Sequence, residues 1–402
     1  MRTRNIYLIG IGMGAQQTMT FEADDTLQSC DCIVGAKRLL ESVEKYGKPA
    51  FAAYLPEQIH TWLEEHPQYR TVAVVLSGDS GFYSGAKKLA AELEQVSEYV
   101  IHMIPGISSV IYLAARLHTS WEDAELVSAH GRRQNYIQTV AASAKTFLLL
   151  GGAACGEEIC RKIKAYGLEH VIFYIGRRLS YAEEEIRKRS GAELCPEDLS
   201  ELCTAMIYNP KPQQWSYGSI PEEEWIRGKV PMTKEEVRAV SIRKLRLTEE
   251  TVLYDVGAGT GSVAIEAALQ SEKIRVYAIE KNPEGIALIE RNKQKFRTDW
   301  VFPVHGTAPE ALEDLEVPTH VFIGGSSGNL KEILRCVRNK NPDVRVVLNA
   351  ISLETIKEVM EAAAEGLLNH PEIVQVSIAK AKVLGQYHMM MGQNPVYIIS
   401  GN

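Results

Sequence analysis

Short apolar runs rich in β-branched residues recur at 6–9, 72–76, 100–104, 146–150, 171–175 and 203–207. Between them lie segments such as 84–95 and 156–166, in which apolar positions return at helical spacing. The second half repeats the alternation, with strands predicted near 251–254, 275–279, 300–304, 320–323, 344–348, 373–379 and 395–399. Such alternation predicts largely parallel sheets flanked by helices, with ligands at the carboxyl ends of the strands. Pro210, Pro212 and Pro221 interrupt the pattern, forbid a continuous helix and favour extended chain. The predicted organisation is therefore a domain over 1–209, a proline-containing linker over 210–220 and a domain over 221–402. No fixed-period repeat relates the halves, so two different α/β folds are expected.

Composition narrows the class. A chain of 402 residues, 45% hydrophobic and 24% charged, is long enough for two or three separately cored domains and has the usage of a globular protein. No run reaches the roughly 18 to 20 uncharged apolar residues of a spanning helix. The opening MRTRNIYLIGIGMG reads as an arginine-flanked strand without a small-residue cleavage site. The expectation is a cytoplasmic protein with no membrane partner. The formal charge is −7, and neither half has a basic excess or a basic block, which argues against a nucleic-acid partner. The seven cysteines are scattered without a CxxC pair. Reduced, mostly buried thiols are expected, with no disulfide framework and no metal site.

The most informative stretch is Thr251-Val-Leu-Tyr-Asp255-Val-Gly257-Ala258-Gly259-Thr260-Gly261, followed by an alanine-rich helix. Glycine is required where a turn needs permissive backbone angles and where a Cβ would keep a ligand off the main chain. A dinucleotide fingerprint wants its third glycine one position later, where Ser262 stands. The next strand ends in Glu280, about twenty residues past the turn, where a carboxylate can accept hydrogen bonds from both ribose hydroxyls. The turn lacks the Lys-Ser/Thr ending of a phosphate loop, so a nucleoside without phosphates fits best. The bland alternative for the glycines is an ordinary tight strand-to-helix turn. For the loop Phe322-Ile-Gly-Gly-Ser-Ser-Gly328 it is a helix N-cap.

These motifs, with Arg227-Gly-Lys-Val-Pro-Met-Thr-Lys-Glu-Glu-Val-Arg238, His305-Gly-Thr-Ala-Pro-Glu-Ala-Leu312 and Val321-Phe-Ile-Gly-Gly-Ser-Ser-Gly328, resemble the class I S-adenosylmethionine methyltransferases. More narrowly, they resemble the decarboxylating precorrin methyltransferase domain of cobalamin synthesis. The resemblance implies a Rossmann-like C-terminal domain in which Thr233, Gly257, Ala258, Gly259, Thr260, Gly261, Glu280 and Ala308 contact the methyl donor. It also implies that Gly324, Gly325 and Ser326 face a tetrapyrrole. Thr307 stands where an aspartate is expected, which removes an adenine-amine contact from that side chain.

In the first half, three glycine loops follow predicted strands: Gly10-Ile-Gly12-Met-Gly14, Leu76-Ser-Gly78-Asp79-Ser-Gly81 and Ile104-Pro-Gly106-Ile-Ser108-Ser109. Loops of this kind present backbone donors and small side chains, and one cleft can gather all three. Asp79 has a simpler reading as a residue that orients its own turn. His130, Arg132 and Arg133 offer donors for carboxylates, arginine bidentately, and the alternative is a solvated face.

Together with Val34-Gly-Ala-Lys-Arg38, Gly78-Asp-Ser-Gly-Phe-Tyr83, Trp121 and Ser128-Ala-His-Gly-Arg132, these loops resemble the tetrapyrrole methylases, in the branch that methylates precorrin carbon 5. The resemblance implies an α/β fold of two subdomains in which Gly78, Asp79, Ser108, Ser109 and Leu150 border a second methyl donor. It implies His130, Arg132 and Arg133 as substrate contacts and association into a homo-oligomer. Relatives that methylate uroporphyrinogen carry an aspartate near 35 and a proline near 13. Gly35 and Met13 stand here, so no catalytic base is assigned. Both halves together resemble the precorrin-6Y C5,15-methyltransferase family. The expected function is methylation of a precorrin, with or without cobalt, at carbons 5 and 15, with decarboxylation of the ring C acetate and two S-adenosylmethionine sites per chain. The alternatives are one active C-terminal methyltransferase beside a substrate-holding module, or an RNA methyltransferase.

Overall fold

A computed structural model describes residues 3–129, 134–151, 153–200, 202–213 and 218–402. Among these the chain divides into two compact units, one within Met1–Arg133, Ser143–Arg161 and Glu169–Pro210, the other within Gln134–Ala142, Lys162–Leu168 and Lys211–Asn402.

The first unit holds two five-stranded sheets. One contains β1 (Arg4–Gly10), β2 (Cys32–Gly35), β3 (Ala50–Ala52), β4 (Thr71–Leu76) and β5 (Tyr99–Ile104), all parallel, in the order β3-β2-β4-β1-β5. β1 and β4 are buried along most of their length, as parallel strands covered by helices on both faces must be. The second contains β6 (Glu125–Ser128), β7 (Lys145–Leu149), β8 (Ile172–Arg177), β9 (Glu185–Ser190) and β10 (Cys203–Tyr208), in the order β6-β7-β10-β8-β9. Only its β6–β7 pair is parallel, which corrects the expectation of largely parallel sheets. The polar strand β9, EIRKRS, escaped the hydrophobic pattern because Arg187 and Arg189 turn to Asp198, 1% exposed, at 3.3 and 3.1 Å. β2, β3 and β6 were also missed, being three or four residues long.

The second unit is built on one seven-stranded sheet. Its members are β11 (Val252–Val256), β12 (Arg275–Glu280), β13 (Val301–His305), β14 (His320–Ile323), β15 (Arg345–Ala350), β16 (Glu372–Val376) and, last in the chain, β19 (Val396–Gly401). The order is β13-β12-β11-β14-β15-β19-β16, with β19 antiparallel to both neighbours and the first five strands parallel. Chain direction across the sheet reverses beside β11, so a crevice opens at the carboxyl ends of β11 and β14. The strand expected over 373–379 ends at Val376. Ala379 instead begins an exposed two-stranded ribbon, β17 (Ala379–Leu384) with β18 (Tyr387–Gly392).

The proline-containing stretch does not run loose where it is described. Ile220 is buried, its N–H donates to Glu266 Oε1 at 2.7 Å, and its carbonyl accepts from Arg238 Nη2 at 2.6 Å. Arg238 Nε lies 2.7 Å from Glu266 Oε1, with side-chain exposures of 0% and 6%. Trp225 covers the guanidinium at 5.1 Å. This buried pair ties the approach to the second unit onto helix Ser262–Ala268, which follows the glycine turn. Of the cysteines, Cys30, Cys32, Cys160 and Cys203 are buried. Burial pushes the Cys32 thiol up to about 12, which makes it inert.

Breaking the pair from one side strands a buried charge. Glu266→Ala should destabilise the second unit by about 3–5 kcal/mol, and Arg238→Met/Glu266→Leu together by clearly less. Chemical denaturation of the three proteins tests the ordering.

Candidate active sites

In the first unit, the glycine loops leave the carboxyl ends of three adjacent strands, β4, β1 and β5. They pack backbone on backbone. Gly12 and Gly78 exchange N–H···O hydrogen bonds of 3.1 and 2.6 Å, and a Cβ on Gly10 would stand 2.7 Å from the Gly78 carbonyl oxygen. Asp79 behaves as the simpler reading proposed and also does more. Its Oδ1 accepts from Gly81 N at 2.7 Å, and its Oδ2 accepts from Gly106 N at 3.2 Å, which locks the second loop to the third.

Beside them lies a cavity of about 230 Å³, lined by Gly78, Asp79, Ser109 and Leu150 among the expected residues. Ser108 is not on the lining; it is 3% exposed, and its hydroxyl has no hydrogen-bond partner. Sequence reasoning missed Met13, Phe82, Tyr83, Leu179 and Thr204, which give the cavity its apolar wall and a second unpartnered hydroxyl. It also missed Arg38 as a lining residue. Gly35 is buried, and a Cβ there would collide with Val75, so no aspartate fits at this position. His130, Arg132 and Arg133 lie outside the described residues.

The second unit places its cavity, about 220 Å³, at the crevice of the seven-stranded sheet. Gly257, Gly259, Glu280, Ala308, Gly324, Gly325 and Ser326 line it, from the ends of four strands. Gly257, Gly259 and Gly261 take φ of 75°, 57° and 79°, the left-handed region, so the turn needs them for backbone reasons too. A Cβ on Gly257 would stand 2.8 Å from the Gly325 carbonyl oxygen, and one on Gly259 would collide with that of Pro231. Thr233, Ala258, Thr260 and Gly261 are not on the lining. Thr233 gives its carbonyl to Arg238 Nη1 at 2.8 Å, Ala258 joins the core, and Thr260 is fully buried with an unpartnered hydroxyl. Gly261 holds the N-cap position of the following helix. Pro231, Lys281, Gly306, Thr307 and Ser327 complete the wall and carried no sequence signal beyond their neighbours.

The loop after β14 runs directly into the helix Leu330–Lys340, so it forms the N-cap region and a cavity wall at once. Asn329 takes the N-cap position itself, and its Nδ2 donates to the Ala308 carbonyl at 3.2 Å. Lys281 Nζ donates to Ser327 Oγ at 2.9 Å, joining the ends of β12 and β14.

Two carboxylates stand at the turn. Glu280 Oε2 accepts from Gly259 N and Oε1 from Asn282 N, both at 2.8 Å, which fixes the side chain and leaves each oxygen a further acceptor site. Asp255 is 1% exposed; Oδ2 accepts from Ala264 N at 3.0 Å, and Oδ1 has no hydrogen-bond partner. Burial pushes Asp255 up to about 7, the Glu280 charge adding to the rise and the Ala264 N–H opposing it. Bare backbone and a fixed acceptor for paired hydroxyls suit the diol-bearing nucleoside S-adenosylmethionine.

Sheet order, glycine turn and the acid ending the second strand of this sheet define an α/β methyltransferase. Residues 224–401 match the family profile of the precorrin methyltransferase domain, and residues 5–195 that of the tetrapyrrole (corrin/porphyrin) methylases. The chain is 41% identical over 191 residues to the probable cobalt-precorrin-6B C(15)-methyltransferase (decarboxylating) of Pyrobaculum calidifontis, which covers 46% of this chain and 97% of that protein. It is 36% identical over 181 residues to the cobalt-precorrin-6B C(15)-methyltransferase (decarboxylating) of Salmonella typhimurium, covering 44% and 93% respectively. A crystal structure of precorrin-6y C5,15-methyltransferase from Geobacter metallireducens GS-15 is 40% identical, covering 46% of this chain and 98% of that one with a TM-score of 0.44. The chain belongs to the decarboxylating precorrin methyltransferases, with a tetrapyrrole-methylase half joined ahead of that domain. Methyltransferases of these families use S-adenosylmethionine as methyl donor.

Asp255 makes the stability of the protein without donor pH-dependent. Its folded value lies above the ordinary 3.8, so the folded state holds the proton more tightly. Its stabilising contribution is complete below about pH 4 and is lost as pH rises through about 7. Between pH 5 and 8, urea denaturation should show Asp255→Asn gaining roughly 2 kcal/mol on the wild type. A difference independent of pH would refute the assignment.

Proposed function

We propose that residues 1–209 and 221–402 carry out separate methylations of one precorrin, each with its own donor site. The first methylates carbon 5; the second methylates carbon 15 as the ring C acetate loses carbon dioxide. The observation that carries this reading is the pair of unlike cavities, each at the carboxyl ends of parallel strands and each bordered by close-packed glycine backbone.

The donor supplies a methyl group on a sulfonium. The chain's own task is to bind, orient and exclude water. In the second cavity, Gly257 and Gly259 offer backbone surface, Glu280 offers paired acceptor oxygens, and Ala308 adds an apolar side chain. The Gly324–Ser326 loop borders the space left for the macrocycle. In the first cavity, Gly78, Asp79, Ser109 and Leu150 hold the donor, with Ser108 behind them. The macrocycle's bridge carbon would form the new carbon–carbon bond with its own π electrons as the sulfur–methyl bond breaks and its electron pair stays on the leaving S-adenosylhomocysteine, so positioning provides much of the rate and no strong base is required. On decarboxylation the carbon–carboxyl bond breaks and its electron pair enters the conjugated ring system, where a proton later replaces it. Excluding water from the cavity favours the charge dispersal.

We assign the reaction to the cytoplasm, where thiols such as Cys30 and Cys32 stay reduced. Among the described residues, no helix is long and apolar enough to cross a membrane. A homo-oligomer is supported by the β17–β18 ribbon, whose Val383, Leu384, Tyr387, Met389, Met390 and Met391 are all exposed. A lone two-stranded ribbon is marginally stable in water, and a second copy of the chain would cover it. Tyr387→Lys/Met390→Lys should lower the mass measured by light scattering to that of the monomer.

Titration calorimetry with S-adenosylhomocysteine should give two equivalents per chain; one equivalent would leave a substrate-holding first half. Gly259→Val should abolish methylation at carbon 15 together with carbon dioxide release, leaving methylation at carbon 5. Glu280→Gln, which keeps the shape, should raise the donor KM of the carbon-15 step about tenfold. Mass spectrometry of the products reads both steps.

A further inference from the structure

Arg38 ends the Val34-Gly-Ala-Lys-Arg38 stretch and lines the cavity of the first unit together with Ser77, Gly78 and Asp79 of the second glycine loop. Its surroundings differ from those of other arginines in the unit. Arg116 meets Glu184 at 2.8 Å, and Arg187 and Arg189 meet Asp198. Arg38 has hydroxyl partners only among the described residues: Nη1 donates to Tyr181 Oη at 2.7 Å and Nη2 to Ser77 Oγ at 3.4 Å. Neither hydroxyl cancels its charge, and a guanidinium carries more N–H donors than these two contacts use.

Tyr181 is itself held. It packs so closely over the Gly14 backbone that a Cβ on Gly14 would collide with the phenol, and its N–H donates to the Arg178 carbonyl at 3.0 Å. The adjacent Ser180 accepts from Ala15 N at 3.2 Å through Oγ and donates its own N–H to Glu184 Oε2 at 2.7 Å. Arg178 and Ser180 both lie at positive φ, 46° and 72°. A segment in so unfavourable a backbone conformation persists where surrounding contacts fix it. The result is a braced phenol that aims a planar cation along the wall of an otherwise mostly apolar cavity.

We infer that Arg38 is a carboxylate-binding residue of the first active site, with Tyr181 and Ser77 as its positioning residues. The inference rests on the reading of the first unit as a tetrapyrrole methylase. A guanidinium recognises a carboxylate through paired, parallel N–H···O hydrogen bonds, a geometry that a flexible ammonium does not reproduce. Carboxylates reach this cavity from two sources, the side arms of the macrocycle and the amino-acid end of the methyl donor. The hydroxyl clamp, one side of which is Ser77 beside Gly78, serves either chemically, and the two Michaelis constants tell the sources apart.

The test compares full-length wild type, Arg38→Gln, Arg38→Lys and Tyr181→Phe. The KM for the precorrin and the KM for S-adenosylmethionine are each read from the rate at which methyl appears at carbon 5. Methylation at carbon 15 by the same chain reports that the variant is folded. Arg38→Gln should raise one of the two KM values at least tenfold, leave the other within twofold and change kcat less than KM. A rise for the precorrin assigns the carboxylate to an acid arm of the macrocycle; a rise for S-adenosylmethionine assigns it to the amino-acid end of the donor. Arg38→Lys should recover part of the loss, and Tyr181→Phe should raise the same KM about threefold. Unchanged values for both would make Arg38 a solvated rim residue and overturn the inference. If the wild type itself places no methyl at carbon 5, the reading of the first unit fails, a result distinct from any variant's behaviour.

Discussion

Loops packed backbone to backbone admit no Cβ where they meet, and that constraint organises both halves of this protein. In each, parallel strands deliver their loops to one edge of a sheet, and the loops pack so tightly that side chains are excluded. Gly10, Gly78 and Gly106 meet backbone to backbone in one unit; Gly257 meets Gly325 and Gly259 meets Pro231 in the other. The two solutions are unlike in detail. The first relies on hydrogen bonds between loops with Asp79 as a brace, the second on a left-handed turn with Glu280 as its clamp.

Charge is distributed sparingly around these surfaces. Asp79 turns both oxygens toward backbone N–H groups, so it braces its loops as well as lining a cavity. Glu280 performs both tasks, because the bonds that fix it leave acceptor capacity facing the cavity. Asp255, enclosed and near Glu280, sits where ionisation is costly, which raises its hold on a proton. On the opposite side of the account, each cavity has a basic lining residue held by hydroxyl groups, Arg38 in one and Lys281 in the other. Substrates carrying many carboxylates require cations that are not already neutralised.

The turn of the second unit depends on support from outside itself. Glu266 lies one turn into the helix that follows Gly261, and through it Arg238 and Ile220 are fastened to the same helix. Asn292 adds a second strap, donating to the carbonyls of Ile226 and Thr260 at 3.0 Å each. The residues leading into the unit thereby hold Pro231 against Gly259, which closes one side of the cavity.

The amino-acid sequence by itself determined the strand-end glycine loops, the acid at Glu280, the nucleoside character of the second site and the alternation that makes both halves α/β. All of these are local: a spacing of glycines or a run of valines acts on its immediate backbone. It left β9 and the β17–β18 ribbon unseen, since a polar strand neutralised by a distant Asp198 and an exposed ribbon have no apolar period to read. It did not show that Thr233, Ala258 and Thr260 stand off the lining of the cavity, with the Thr233 carbonyl on Arg238 and Ala258 and Thr260 buried. Only the tertiary structure decided that Asp79 serves its neighbours and that Tyr181, more than a hundred residues away in the chain, aims Arg38. Contacts between remote segments depend on how sheets stack and loops close, and no local pattern of residues encodes that distance.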